Sequence, residues 1–180
     1  MEEKVNVWKS NLTNGLILGL AGIVYSLVMY FLDLSLNKSQ GYVFMIILVV
    51  LLYFLLVSYR DNYLHGQISY GQAVGAGAVI SLYYAIMMAI FTFILYKFID
   101  TGLTAKQLAL AEEMLSKKGM PQASIDTAMQ MQAKFMKPGI MSVFVIFGSA
   151  FWGIVFSLIV SIFVKKEGNP LIDTPPANQN

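Results

Sequence analysis

Long apolar stretches alternate with short polar ones along this chain of 180 residues. Four stretches, at residues 12–32, 41–59, 73–96 and 139–164, contain no Asp, Glu, Lys or Arg and run for 21, 19, 24 and 26 residues. A helix of about 20 apolar residues crosses a hydrocarbon layer about 30 Å thick and satisfies its own backbone polar groups on the way. The pattern therefore predicts an all-α fold, a polytopic transmembrane bundle of four helices.

The composition supports this interpretation. Hydrophobic residues make up 57% of the chain and charged residues 12%, whereas soluble domains average about 45–50% and about 25%. All 12 basic and 10 acidic residues lie outside the four stretches, which would leave a soluble fold without a polar face there. We therefore exclude a soluble globule and a disordered chain. The lack of cysteine also excludes a disulfide-framed secreted domain.

The same pattern divides the chain into three parts. We expect an N-terminal flank at residues 1–11, a four-span membrane domain at 12–166 and a disordered tail at 167–180, which is polar and broken by proline. The first stretch is predicted to be a retained span, because its 21 residues exceed the about 7–15 of a cleavable signal peptide.

The connector between spans three and four, residues 97–138, is long enough to hold structure of its own. Thr104 and Gln107 have the spacing of a capping box, which predicts a helix that ends before Gly119. Apolar residues recur near helical spacing over about 124–137 and predict a second helix. We expect an amphipathic helical hairpin here.

This hairpin has two interpretations. It is either a connector whose polar face meets water while it lies on the membrane or on its own bundle, or a docking surface built on methionine, which repacks against varied partners. Five of the eleven methionines lie in this connector. The candidates for partner docking are Met114, Met129, Phe135 and Met136.

Small residues recur along one face of three of the spans. Helices in lipid associate through close backbone approach, because lipid offers no hydrophobic gain on pairing. These stripes are predicted to be packing seams, and the second span, which is nearly devoid of small residues, is expected to be the most exposed to lipid. The candidate packing residues are Gly15, Gly19, Gly22, Ser26, Gly75, Ala78, Ser149, Gly153, Ser157 and Ser161.

Chemistry-bearing residues are sparse in the predicted spans. The lack of intramembrane charge disfavours ion-coupled transport. Tyrosine and serine of span three, such as Ser81 and Tyr84, either pack against neighbouring helices or line a small cavity. Asp33 and Asp100 fall on one membrane face, where they form a carboxylate pair or, as we favour, end their spans with Lys38 or Lys97 as counter-charge.

No motif points to a cofactor or a metal ion. His65 has no acidic or histidine partner at metal-ligand spacing, and phosphate-loop, serine-elbow and zinc-protease patterns are absent from the sequence. The net charge of +2 does not support a nucleic-acid surface. We therefore assign no catalytic, cofactor-binding or metal-binding residue and expect no nucleic-acid partner.

Orientation rests on lysine and arginine near the span ends. Raw counts are five on the face of the termini and seven on the other, and omitting Lys117 and Lys118 from the middle of the hairpin connector makes the counts five and five. The Lys165–Lys166 pair after the fourth span then favours both termini in the cytoplasm.

Four segments resemble a known family. They are Gly66–Ala73 before span three, Tyr96–Asp100 at its end, Lys118–Met120 in the connector and Gly153–Ile159 in span four. They are similar to a family of uncharacterised bacterial membrane proteins, the domain of unknown function numbered four-one-nine-nine. The resemblance implies a four-span, multi-pass protein of the bacterial inner membrane over nearly the whole chain, and it implies no activity or ligand.

Three functions remain open from the sequence. We favour a non-enzymatic membrane protein whose hairpin and seams serve assembly, with membrane lipid around it and a second copy or another membrane protein as partner. The alternative is a permease or channel component for a neutral or lipid-like molecule. A membrane enzyme at the face of Asp33 and Asp100 is the weaker alternative.

The alternation of spans makes a direct prediction. Because the chain lacks cysteine, Ser10→Cys and Ser116→Cys each introduce a single labelling site. We expect membrane-impermeant maleimide to reach these two positions from opposite faces of the membrane, since three spans separate them. Labelling of both from one face would require a different number of crossings.

Overall fold

The protein was analysed as a computed structural model that describes residues 5–35 and 37–167. In this part of the chain it forms six α-helices, and a π-helical turn at Leu95–Ile99 continues the third. The helices are α1 (Val7–Phe31), α2 (Lys38–Tyr63), α3 (Tyr70–Ile94), α4 (Leu103–Lys117), α5 (Gln122–Phe135) and α6 (Pro138–Val164).

Helices α1, α2, α3 with its π-helical turn, and α6 are long and apolar enough to cross a membrane. The predicted all-α bundle of four spans with a helical hairpin, α4–α5, is confirmed, and the chain is a multi-pass membrane protein. The predicted tail lies outside the described residues from position 168 onward.

The spanning helices begin before the apolar stretches that predicted them. α1 begins at Val7 because the Asn6 side chain accepts hydrogen bonds from the backbone N–H groups of Trp8 and Lys9 at 3.0 and 3.3 Å. Residues counted with the flank therefore form the first turns of the helix.

Capping differs from the prediction at the hairpin. The capping box expected at Thr104 is wrong, because α4 begins at Leu103, two residues earlier than that box requires, with Gly102 as its N-cap and no side-chain cap. A capping box is present instead at α3, where Ser69 and Gln72 exchange hydrogen bonds at 3.3 and 3.0 Å. The Gln107 side chain forms a hydrogen bond to Tyr96 instead.

α3 lies at the centre of the bundle. α6 packs along one side of it and α1 along another, while α2 contacts all three. α3 therefore packs against two helices at once. It presents large side chains to α1 and small residues to α6.

The seam between α1 and α3 places glycine against large side chains. A methyl group on Gly15 would overlap Tyr83, and one on Gly19 would overlap Met87. Gly22 faces Met88 and Tyr84 in the same way. Because the contacts on both helices advance in the same sense along the chain, α1 and α3 cross in the same direction.

The seam between α3 and α6 is built from small residues on both helices. A methyl group on Gly77 would overlap Ser157, and one on Gly153 would overlap Ser81. The Ser157 hydroxyl donates to the Gly153 carbonyl at 2.7 Å and so keeps its own polar group paired. These contacts run in opposite senses on the two helices, as expected of consecutive crossings.

One candidate packing residue on α3 is misplaced. Gly75 is exposed, and a methyl group there would meet nothing within 4 Å. Ala78 is only half-buried, whereas the glycine in the seam is Gly77. A position two residues from the seam is turned about 200° around a helix axis of 3.6 residues per turn, which explains the correction.

The expectation that the second span is the most lipid-exposed is wrong. In its most apolar 18 residues α6 has 17% of positions buried, compared with 22% in α2. α2 contributes large buried side chains such as Leu52, Leu56 and Tyr59 to the core. α6 contributes mainly its small-residue stripe and turns aromatic residues such as Phe147 and Phe163 outward.

Both described ends of the chain lie at one end of the bundle. The backbones of Ile68 and Lys166 exchange hydrogen bonds at 2.8 and 2.9 Å, and Arg60 Nη1 donates to the Val164 carbonyl at 3.2 Å. Val5 lines the same cavity as Lys166. An even number of crossings produces this arrangement and places the hairpin at the opposite end.

The α3–α6 seam yields a stability prediction. We expect Gly153→Ala to lower the free energy of unfolding by about 1–3 kcal/mol, the usual cost of overpacking, because the added methyl group would overlap Ser81. Gly148→Ala on the same helix is the matched control, since its methyl group meets nothing within 4 Å. Unfolding in mixed micelles of a mild detergent and dodecyl sulfate measures both, and equal losses would contradict a tight seam.

Candidate functional site

The hairpin α4–α5 packs mainly on itself. Leu103 at the start of α4 and Ile125 on α5 are buried, whereas pairs of apolar residues four apart face outward on each helix. These outward pairs, which we call the hairpin strips, are Leu110 and Met114 on α4 and Met131 and Phe135 on α5.

The docking candidates from the sequence fall into two groups. Met114 and Phe135 are exposed, while Met129 and Met136 are half-buried. Met131, one of the five methionines of the connector but not among the four docking candidates, is the most exposed methionine of the hairpin, at 57%. Its spacing of four from Phe135 places the two side chains on one face of α5.

The start of the hairpin is fixed to the bundle by hydrogen bonds. Gln107 Nε2 donates to the Tyr96 hydroxyl at 2.6 Å, which joins α4 to the π-helical turn. Asp100 accepts from the Tyr30 hydroxyl at 3.2 Å and from the Gly102 N–H at 3.0 Å. The end of α1, the end of α3 and the base of α4 therefore meet at one carboxylate.

Asp33 and Asp100 do not have equivalent surroundings. Asp100 is partly buried and also lies 3.5 Å from the Lys106 ammonium, whereas Asp33 is exposed in a left-handed turn at φ 55°. Lys97 is not the counter-charge, because its ammonium lies over the rings of Phe93 and Phe98. The side chain of Lys38, the other candidate, lies outside the described part of the structure. Asp100 thus acts as a structural junction.

The polar face of the hairpin carries an ion pair. The Lys117 ammonium donates to Glu113 Oε1 at 2.6 Å and holds the pKa of that carboxyl below its usual value. Glutamate four residues before lysine is the favourable order on a helix. Both groups are exposed, so the pair shapes the surface charge and adds little stability.

A cleft of about 270 Å³ opens between α2, α3 and α6 within the spans. Its wall is mostly apolar, with Phe44 and Leu48 from α2 and Trp152 and Phe156 from α6. The half-buried Ser149 and the buried Gly153, both packing candidates, line it from α6, and Ser81 and Tyr84 line it from α3.

Among the described residues, the buried hydroxyl of Ser81 has no hydrogen-bond partner. The Ser161 hydroxyl, further along the α3–α6 seam, is also buried and unpaired within the described part of the chain. The hydroxyl of Ser157, which lies between them, is paired. Ser26, the last candidate of the α1 stripe, is half-buried. Of the polar residues considered on span three, Tyr83 turns away from the cleft and donates to the Trp8 carbonyl at 3.3 Å.

Two buried asparagines in α1 were missed by sequence reasoning. Asn14 Nδ2 donates to Asn11 Oδ1 at 3.1 Å, and Asn11 Nδ2 donates to the Val7 carbonyl at 3.0 Å. Tyr59 of α2 lies next to Asn11. Two amides spaced three apart at the start of an apolar stretch were the available signal, since polar groups in a membrane helix seek partners on one face.

A larger and more polar cavity, about 890 Å³, lies at the end of the bundle where both termini meet. His65, exposed in a left-handed conformation at φ 53°, lines it together with Tyr63 and Lys166. Among the described residues, no three His, Asp or Glu side chains are grouped closely enough to hold a metal ion.

Comparison with known proteins gives one match. A family model described as "Protein of unknown function (DUF4199)" matches residues 13–166, which include all four spans and the hairpin. No curated protein and no solved structure matches the chain significantly. The match agrees with the resemblance found in the sequence and carries no activity.

The asparagine pair gives the next prediction. Asn11→Leu removes the acceptor of the Asn14 amide, and an unpaired buried amide costs about 1–2 kcal/mol of unfolding free energy. Asn11→Leu combined with Asn14→Leu removes both partners, so most of the loss should be recovered. The same mixed-micelle unfolding assay measures this, and a double variant as unstable as the sum of both single variants would contradict the pairing.

Proposed function

Because the chain belongs to the family described as Protein of unknown function (DUF4199), whose description contains no activity, we propose a function from the geometry. The protein is a non-enzymatic membrane component that docks a protein partner through the hairpin strips. The observation that carries this proposal is the exposure of these apolar pairs on helices that project beyond the membrane bundle.

The charge of the hairpin favours a protein over the lipid surface as its occupant. α4 carries two lysines and two glutamates, and α5 carries one aspartate and one lysine, so each helix is neutral. Helices that lie on membranes usually combine a wide apolar face with a basic polar face. Short strips bounded by charges of both signs suit an amphipathic helix of another protein.

The chemistry of the strips suits such a partner as well. Met114 and Met131 are unbranched thioethers that adapt to a facing surface. Phe135 adds a rigid aromatic side chain, and its ring lies 5.9 Å from that of Phe144 at the start of α6. The strip on α5 is thereby connected to the membrane bundle, and a docked partner would contact both.

We place the protein in the bacterial inner membrane with both termini in the cytoplasm. Lys165 and Lys166 directly follow the end of α6 and support this orientation. The hairpin then lies on the opposite face, and its partner is a membrane protein or a second copy with surface accessible there.

Cysteine alkylation tests the docking proposal. Met131→Cys places a single thiol in the α5 strip, and Gln130→Cys places one on the exposed neighbouring position as matched control. In vesicles that contain only the purified protein at low density, we expect a water-soluble maleimide to label both positions rapidly. In native membranes we expect position 131 to be labelled several-fold more slowly while position 130 is unchanged.

Two results would overturn the proposal. Protection of position 131 in the purified vesicles at low density would show that lipid covers the strip. Equal labelling of both positions in native membranes would show that nothing docks there. Met131→Glu places a charge in the α5 strip. In native membranes, the labelling rate of a thiol at Ser124→Cys, compared with and without this substitution, identifies contacts that depend on the strip.

A further inference from the structure

The cleft between α2, α3 and α6 differs from an ordinary packing gap. Exposed lining residues such as Met45 and Trp152 show that it opens toward the surroundings of the bundle. About 270 Å³ lies open at the depth of the spans, beside the closely packed α3–α6 seam. Only molecules dissolved in the membrane reach this depth readily.

The lining of the cleft specifies a mostly apolar occupant. Phe44, Met45 and Leu48 of α2 face Trp152 and Phe156 of α6 across it. No charged residue lines the cleft among the described residues. A charged molecule would therefore lose its hydration without gaining an opposite charge.

One polar group in this lining lacks a partner. Ser81 is 1% exposed, and its hydroxyl makes no hydrogen bond, although the nearby Ser157 shows how a serine in this seam pairs with the carbonyl four residues earlier. A buried hydroxyl without a partner is costly. The hydroxyl lies against Gly153. A ligand that brings its own hydroxyl or carbonyl into the cleft would remove the cost once the Ser81 hydroxyl turns from Gly153 toward the open volume.

The volume sets the size of the occupant. A cavity of about 150 Å³ in another protein interior accommodates benzene, so a cleft of about 270 Å³ accommodates roughly ten to twelve non-hydrogen atoms. We propose that the cleft is a binding site for one neutral, single-chain amphipathic molecule, with its apolar chain along Phe44 and Trp152 and its hydroxyl or carbonyl oxygen at Ser81.

This site is independent of the hairpin proposal, because the cleft lies between spans and the strips lie on α4 and α5. The site also bears on the alternative function, a permease or channel component for a neutral or lipid-like molecule. Binding of a neutral lipid-like molecule between helices is the first step that such a function would need, and the site can be tested without assuming that transport follows.

Trp152 provides the readout. The chain has two tryptophans, so Trp8→Phe leaves Trp152 in the cleft wall as the single indole. We would titrate this variant, in excess mild detergent, with 1-decanol and with undecane, which have the same number of non-hydrogen atoms. We expect a saturable change in emission with decanol and about fivefold weaker binding of undecane, the factor for one hydrogen bond.

Two variants in this background locate the site. Ser81→Ala should reduce decanol affinity to that of undecane while leaving undecane unchanged. Gly148→Leu should abolish saturable binding, because Gly148 lines the cleft and a Cβ atom added there meets nothing within 4 Å, which leaves the side chain room to fill the cleft. Gly139→Leu, also on α6 and also with open space around it, is the matched control and should bind normally.

Three outcomes would overturn the inference. A linear emission change without saturation would show that the probes only dissolve in the micelle. Equal decanol and undecane affinities would show that Ser81 offers nothing to the ligand. Unchanged binding in a folded Gly148→Leu variant would place the probes elsewhere. If Gly148→Leu fails to fold, the decanol and undecane affinities of Ser81→Ala test the site without it. Ser81→Ala removes an unpaired hydroxyl and keeps the helix intact.

Discussion

The whole bundle depends on how closely other helices can approach α3. In a bilayer, apolar side chains gain little by leaving lipid for one another, so helices are held together by close contact and by polar pairs. Small residues make that contact possible, as glycine on α1 receives Tyr83 and Met87 and as Gly77 meets Ser157. The bulky leucines of α2 then fill the groove that these three helices create.

The small residues that permit close approach also leave space where no large side chain compensates for them. Gly148, Ser149 and Gly153 leave such space in the cleft, where they line the α6 wall beside Trp152 and Phe156. Polar groups nearby separate into paired and unpaired sets. Asn11, Asn14 and Ser157 have protein partners, whereas Ser81 and Ser161 have none. The residues with protein partners are explained by helix packing. Ser81, which has no partner and lies beside open volume, is the feature that points to a ligand.

The sequence was sufficient to predict the four spans, because charge-free length is dictated by the membrane alone. The hairpin was predicted from helical spacing, and the family from four segments that resemble it. The sequence was insufficient to identify the seam of α3. A stripe of small residues can be drawn on several neighbouring faces of one helix, and only the position of α1 and α6 decides between Gly75 and Gly77. Caps were misplaced for a related reason, since Gln107 fits a capping box by spacing but is drawn to Tyr96 by the tertiary fold. The sequence named Ser81 and Tyr84 as lining for a small cavity or as packing residues and left the two alternatives open. The cleft that they line arises where three separate helices leave space between them, which no single stretch of sequence encodes.

The order of the helices along the chain affects how the protein is made. Ser81 and Gly77 lie on α3, but the residues that cover them lie on α6, which follows the entire hairpin. During co-translational insertion, three helices therefore enter the bilayer while the most closely packed side of α3 still faces lipid. A chain interrupted within α4 or α5 would keep three spans and lose its principal interhelical contact, which makes such a fragment a natural substrate for membrane quality-control proteases.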